Sequence, residues 1–147
     1  MKLLAVTNFQ GTYRFLSNFS PSPISLAGLE FPTIEHAYQS AKTLDSAWRQ
    51  FTDPQLTPGQ AKRLGRSLVL RPDWEDVKLT VMEDLLRMKF KHPDLKQKLL
   101  NTGDALLIEG NNWGDTFWGA VDIEKDGSWT GENHLGRLLM KIRGELK

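Results

Sequence analysis

The sequence predicts an α+β fold in which helices dominate and strands are few and short. Three observations support this. Four stretches carry apolar residues at helical spacing behind recognisable start signals, the strand-like stretches are brief, and no run alternates long enough to build a large sheet. No linker, low-complexity tract or internal repeat interrupts the 147 residues, so one domain spanning 1–147 is expected.

Taken in order, Met1-Lys2-Leu3-Leu4-Ala5-Val6 reads as a first strand, being too short an apolar run for a signal-peptide core. Residues 13–21 mix Tyr13, Phe15 and Phe19 with Ser17, Asn18 and Ser20 and end at Pro21, which favours an irregular packed segment able to line a pocket. Residues 24–31 alternate around Ala27-Gly28 as a small hairpin, with glycine supplying a positive φ.

Thr33 is a good N-cap, and Ile34, Ala37, Ala41 and Leu44 recur on one face, predicting an amphipathic helix over about 34–44. Thr57-Pro58 opens a short helix through Ala61 and Leu64. Asp73 caps the longest pattern, in which Trp74, Val77, Val81, Met82, Leu85 and Met88 form a broad stripe ending before Pro93. Pro93 starts another helix carrying Leu95, Leu99 and Leu100. Thr102-Gly103-Asp104 then breaks the chain ahead of a short buried strand over 105–109. The closing helix places Leu135, Leu138, Leu139, Ile142 and Leu146 on one face and Arg137, Lys141 and Arg143 on the other.

Composition excludes several classes. There are 19 Lys plus Arg against 18 Asp plus Glu, so no global field gathers a polyanion, and any nucleic-acid contact must be local. Cysteine is absent, which removes disulfides, thiolate metal sites and cysteine nucleophiles and suits a reducing cytoplasm. No stretch approaches the roughly 20 apolar residues of a membrane span, so a soluble cytoplasmic protein without membrane partners is expected. His36, His92 and His134 lack metal-ligand spacing, and no phosphate-cradling or serine-elbow motif is present; neither metal nor cofactor is expected.

Two clusters carry chemistry. Glu35, Gln39 and Lys42 fall at i, i+4 and i+7, placing an acid, an amide and a cation on one line of a helix; on spacing alone a solvated face is the stronger reading. Far downstream, Gly114-Asp115-Thr116-Phe117-Trp118-Gly119 puts a second carboxylate beside an indole in a glycine-flanked loop, a pattern that also fits a turn aspartate next to a packed ring. Two carboxylates and an aromatic point to a small hydrolytic site. For Trp74, core packing is the stronger reading.

Several separated motifs, in order, resemble the NADAR (YbiA-like) family: Phe15-Leu16-Ser17-Asn18-Phe19, Glu35-His36-Ala37-Tyr38-Gln39 with Lys42, Trp74 through Lys89-Phe90, Asp115 with Trp118-Gly119, and Gly131-Glu132-Asn133-His134-Leu135-Gly136. The resemblance covers nearly the whole chain. The family includes riboflavin-intermediate N-glycosidases, and by resemblance Glu35 and Asp115 stand where it keeps catalytic acids, while Trp74 and Trp118 stand where it keeps functionally important tryptophans. Gly119-Ala120-Val121 departs from a pattern that often continues with more glycine.

The resemblance implies hydrolysis of an N-ribosyl bond without a cofactor. Glu35, Asp115 and Trp118 would be catalytic, and Asn18, Phe19, Gln39, Lys42, Trp74, Asn133 and Arg14 would bind substrate, with Arg63 a looser cation. Both acids are then expected to face one sugar-sized hollow. Three functions follow as expectations: cleavage of a small ribosyl phosphate, removal of ADP-ribose from modified guanine in nucleic acid, or non-catalytic binding of an ADP-ribose-type ligand.

Overall fold

A computed structural model describes residues 4–147. The helices and short strands form an α+β fold: β1 (Ala5–Val6), a 3₁₀ helix (Gly11–Leu16), β2 (Ile24–Leu26), β3 (Leu29–Phe31), α1 (Ile34–Ser40), a second 3₁₀ helix (Ser46–Thr52), α2 (Pro58–Gly65), α3 (Trp74–Lys89), α4 (Pro93–Asn101), β4 (Leu106–Leu107) and α5 (His134–Leu146). Residues 1–3 of the first predicted strand lie outside the described residues, and Ala5–Val6 form a strand as expected. The chain divides into two compact units, residues 18–89 and the remainder.

In the unit of residues 18–89, β2 and β3 pair antiparallel, Ile24 with Phe31 and Leu26 with Leu29. Their two-residue turn has positive φ at Ala27 as well as at Gly28, at 51° and 81°, as a turn matched to strand twist requires. The first helix departs from expectation. It ends at Ser40, not near Leu44, which is exposed, and every one of its residues is buried, so α1 is not amphipathic. Thr33 caps it as predicted, its Oγ1 accepting the His36 N–H at 3.2 Å.

His36 ties α1 to the loop before α2: its Nε2–H donates to the Leu56 carbonyl at 2.6 Å, and its Nδ1 accepts from the Thr33 hydroxyl at 2.8 Å. Both ring nitrogens are thereby satisfied in the neutral form. Burial holds the imidazole below its ordinary pKa, against the opposing pulls of the Leu56 carbonyl and Asp53. α2 starts as its sequence dictates, with a capping box in which Thr57 and Gln60 exchange bonds at 3.1 and 2.9 Å and proline follows the cap.

In α3 the buried set is Trp74, Met82, Leu85, Leu86 and Lys89, while Met88 is exposed. The helix is thus rotated relative to the predicted stripe, which counted apolar residues and could not anticipate a buried lysine. Asp73, expected as its cap, gives its carboxylate to Arg71 in a two-point bond of 2.6 and 3.0 Å.

In the other unit, β1 and β4 pair parallel, Ala5 with Leu106 and Val6 with Leu107. Residues 105–109 thus contribute only a two-residue strand, and residues 11–16 are helical where an irregular segment was predicted. α5 buries Leu135, Leu139 and Ile142 as expected. It also buries Arg143, predicted on the polar face: the guanidinium reaches Thr102 Oγ1 at 3.0 Å and the Ala105 carbonyl at 2.9 Å, anchoring the helix to the loop before β4. No helix among the described residues is long and apolar enough to cross a membrane.

Candidate active site

The first cluster is built on α1. The solvated-face alternative does not hold, since Glu35 is 7% and Gln39 3% exposed. Gln39 Nε2 donates to Glu35 Oε1 at 2.8 Å, fixing one carboxylate oxygen of a buried acid. A first-turn acid also suits the positive end of the helix. The backbone N–H of Glu35, one of the donors a helix start leaves unpaired, reaches the Asn18 carbonyl at 3.1 Å and so docks the 18–19 segment onto the acid.

Asn18 itself is half-buried. Its Nδ2 makes only a weak contact to Met82 Sδ at 3.5 Å, and its Oδ1 is buried without a hydrogen-bond partner. Phe19 follows it, half-buried in the same segment. Trp74 is buried against Tyr38, ring centroids 5.2 Å apart, as its core-packing reading anticipated. Lys42 lies just past α1, its Nζ 5.6 Å from the Tyr38 ring centre. Burial holds its ammonium below the ordinary lysine range; Glu35 opposes this, while Lys62, Arg66 and Lys78 reinforce it.

Gly65, which spacing did not single out, completes this cluster. A Cβ there would collide with Oε1 of Gln39 and stand 2.6 Å from its Cδ. The absence of a side chain on α2 is therefore what lets the Gln39 carboxamide lie against Glu35. Gly65→Ala is expected to keep the fold, alanine being the better helix former, while pushing Gln39 off the acid and lowering kcat/KM by roughly 10- to 100-fold. Thermal melting beside steady-state kinetics checks this; unchanged kinetics would mean that the Gln39 to Glu35 bond is dispensable.

The second cluster lies in the other unit. Asp115 Oδ1 accepts the N–H groups of Phe117 at 3.1 Å and Trp118 at 3.0 Å, so this acid does shape a turn, with Oδ2 outside those two bonds. Asn111, a residue missed by sequence reasoning, clamps the turn from both sides: Oδ1 accepts the Asp115 N–H and Nδ2 donates to the Asp115 carbonyl, each at 2.9 Å. Its i, i+4 spacing to Asp115 was the available signal.

Trp118 packs edge-on to Phe117 at 4.9 Å, and both rings meet His134, at 6.4 and 4.5 Å. The loop's carbonyls then serve as the start of α5: the N–H groups of His134 and Leu135 bond to the carbonyls of Phe117 and Trp118 at 3.1 and 3.0 Å. This explains why α5 has no side-chain cap. Gly119 lets the loop lie flat, because a Cβ would strike the Glu109 carbonyl.

Asn133, 0% exposed and in the left-handed region at φ 52°, spends its carboxamide on backbone, accepting from the Glu109 N–H at 2.9 Å and donating to the Leu107 carbonyl at 3.0 Å. It therefore joins the start of α5 to β4. Arg14 is exposed on the first 3₁₀ helix. Within one unit the structure thus brings together Asn18, Glu35, Gln39, Lys42 and Trp74, and within the other Asp115 and Trp118. Among the described residues no group of three or more His, Asp or Glu side chains is placed to hold a metal ion.

An α+β fold with a buried acid–amide pair on a short helix and a clamped acid–indole loop defines the class, and comparison with known proteins gives it a family. The NADAR domain model matches residues 6–147, and this chain belongs to that family. It is 40% identical to N-glycosidase YbiA of Escherichia coli strain K12, covering 96% of this chain and 88% of that protein. It is 38% identical to N-glycosidase Npun_R5314 of Nostoc punctiforme, covering 92% and 86%. A 38% identical relative, riboflavin biosynthesis protein VVA0006 of Vibrio vulnificus, is longer, and the match spans 35% of it. The solved NMR structure of the E. coli protein YbiA superimposes with a TM-score of 0.78 at 39% identity, covering 99% of this chain and 86% of that one.

Proposed function

We propose that this protein is a hydrolase of N-glycosyl bonds acting on a ribosylated, phosphorylated nucleotide-like metabolite, such as an early riboflavin-biosynthesis intermediate. The buried Glu35 carboxylate, held by Gln39, with the unsatisfied Oδ1 of the Asn18 whose backbone carbonyl takes the Glu35 N–H, is the observation that carries the proposal. A buried acid with a fixed oxygen and a buried acceptor without a donor are costly to keep unless a ligand uses them. The names of the relatives, N-glycosidases and riboflavin biosynthesis proteins, support the reaction and the substrate class.

Breaking an N-ribosyl bond builds positive charge on the anomeric carbon and ring oxygen. The chemistry needs negative charge near the sugar and a water relieved of its proton as it attacks. Glu35 takes the water proton as the water oxygen bonds to the anomeric carbon and the C–N bond breaks; the base leaves with the bonding pair and takes a proton from solvent, to which Glu35 then returns its own. Asp115 supplies the second negative charge, following the two-carboxylate logic of sugar hydrolysis. Trp118 offers an aromatic face to the heterocycle, Asn18 Oδ1 accepts from its N–H edge, and Lys42 attracts the phosphate.

The test is incubation of the purified protein with phosphoribosylamino-pyrimidine intermediates and, separately, with an oligonucleotide carrying ADP-ribosylated guanine. Mass spectrometry should find free base and ribose phosphate from the first. Faster release from the oligonucleotide would move the function to nucleic-acid repair, and tight binding without cleavage of either would make the protein a binding module.

A further inference from the structure

We propose that Lys62, Arg66 and Lys78 join Lys42 in a built anion site, contributed by α2, α3 and the residues just past α1 and α2 in one unit, that takes the phosphate of the substrate. The geometry starts from two joints. At the first, Tyr38 on α1 packs against Trp74 on α3, and one helical turn beyond each ring come Lys42 and Lys78. The bond from the Arg71 N–H to the Lys42 carbonyl, 2.7 Å, ties the approach to α3 to the same place. At the second, α2 presses Gly65 against Gln39; Lys62 stands one turn before that contact and Arg66 immediately after it.

The charges are correspondingly close. Lys62, Arg66 and Lys78 each act on the half-buried Lys42, and the Glu35 carboxylate counters them there. Lys78 is additionally paired with Glu75 at 2.7 Å. Among the described residues, neither Lys42 nor Arg66 has a carboxylate within ion-pairing distance.

A chain with a net charge of only +1 has thus gathered three cations around one half-buried ammonium. Like charges so grouped repel, and a bound anion reverses the sign of that cost. A phosphate fits best, because a guanidinium fork beside several ammonium groups satisfies several oxygens of a tetrahedral dianion at once. Neighbouring Glu35 and Gln39 place this site next to the catalytic acid, so the phosphate fixes the ribose end of the substrate; this assignment rests on the hydrolase reading given above.

The experiment titrates the intact protein with inorganic phosphate and with pyrophosphate by calorimetry, comparing wild type with Lys62→Ala, Arg66→Ala and Arg66→Lys, and with Lys96→Ala as a control for loss of one exposed charge on α4. Melting curves confirm that each variant is folded. Phosphate affinity should fall roughly tenfold or more in Lys62→Ala and Arg66→Ala, recover partly in Arg66→Lys and stay unchanged in Lys96→Ala. With an N-riboside substrate, the same alanine variants should lose selectivity for the 5′-phosphorylated over the dephosphorylated form by a similar factor.

Tighter binding of pyrophosphate than of phosphate would identify a diphosphate-bearing ligand, and the reverse a monoester; either supports the site. Phosphate binding lost in these variants of a protein that cleaves no riboside would keep the anion site and remove the hydrolase. Undiminished binding and selectivity in folded Lys62→Ala and Arg66→Ala would overturn the anion site while leaving the hydrolase standing.

Discussion

Glu35→Gln is expected to lower kcat for release of the free base by roughly 10²- to 10⁴-fold while leaving the protein folded. The substituted side chain is nearly the same shape, and its carbonyl oxygen can still accept from Gln39 Nε2, so the buried contact at 2.8 Å survives in neutral form. Lost are the negative charge and the ability to take a proton from water. KM should change little, because the group acts on the reacting bond more than on ground-state binding. Quantifying base release by mass spectrometry beside a melting curve decides the matter: full turnover in a folded variant removes Glu35 from the chemistry.

The second large effect is expected at Asp115, where two substitutions separate two roles. Asp115→Asn retains an Oδ1 that accepts from the Phe117 and Trp118 N–H groups, so the loop keeps its shape and the loss, roughly 10²-fold in kcat, reports the charge alone. Asp115→Ala removes that acceptor as well, leaving two backbone donors unpaired at a cost of about 1 kcal/mol or more in stability, with a further loss of activity as Trp118 moves. Full activity in Asp115→Asn with loss in Asp115→Ala would reduce the residue to a turn former.

What could be read from the chain and what could not divide along physical lines. α2 and α5 were legible because local chemistry decides them: Thr57 as cap and Pro58 after it mark the start of α2, and the leucines of α5 keep strict spacing. The rotation of α3, the burial of Lys89 and the burial of Arg143 were not legible, since long-range partners and not neighbours in sequence settle such positions.

At the candidate site, Glu35, Gln39 and Asp115 stood out by residue type and spacing, yet spacing is the same for a solvated and a buried helix face, so burial had to come from the fold. Gly65 and Asn111 escaped notice because a glycine ending a helix and an asparagine in a loop are ordinary until their distant contacts are seen. The grouping of Lys42 with Lys62, Arg66 and Lys78 is likewise a product of helix packing, spread over three segments of an otherwise charge-balanced chain.

The start of α5 has one further consequence. Its first amides are held by carbonyls of the Asp115–Trp118 loop, so the helix borrows its beginning from a segment seventeen residues upstream. Loop and first turn are thus bonded to each other, so loosening either weakens the hold on the other. The accuracy with which the acid is presented is therefore underwritten by the longest lever in that unit, a helix whose far end is pinned through Arg143.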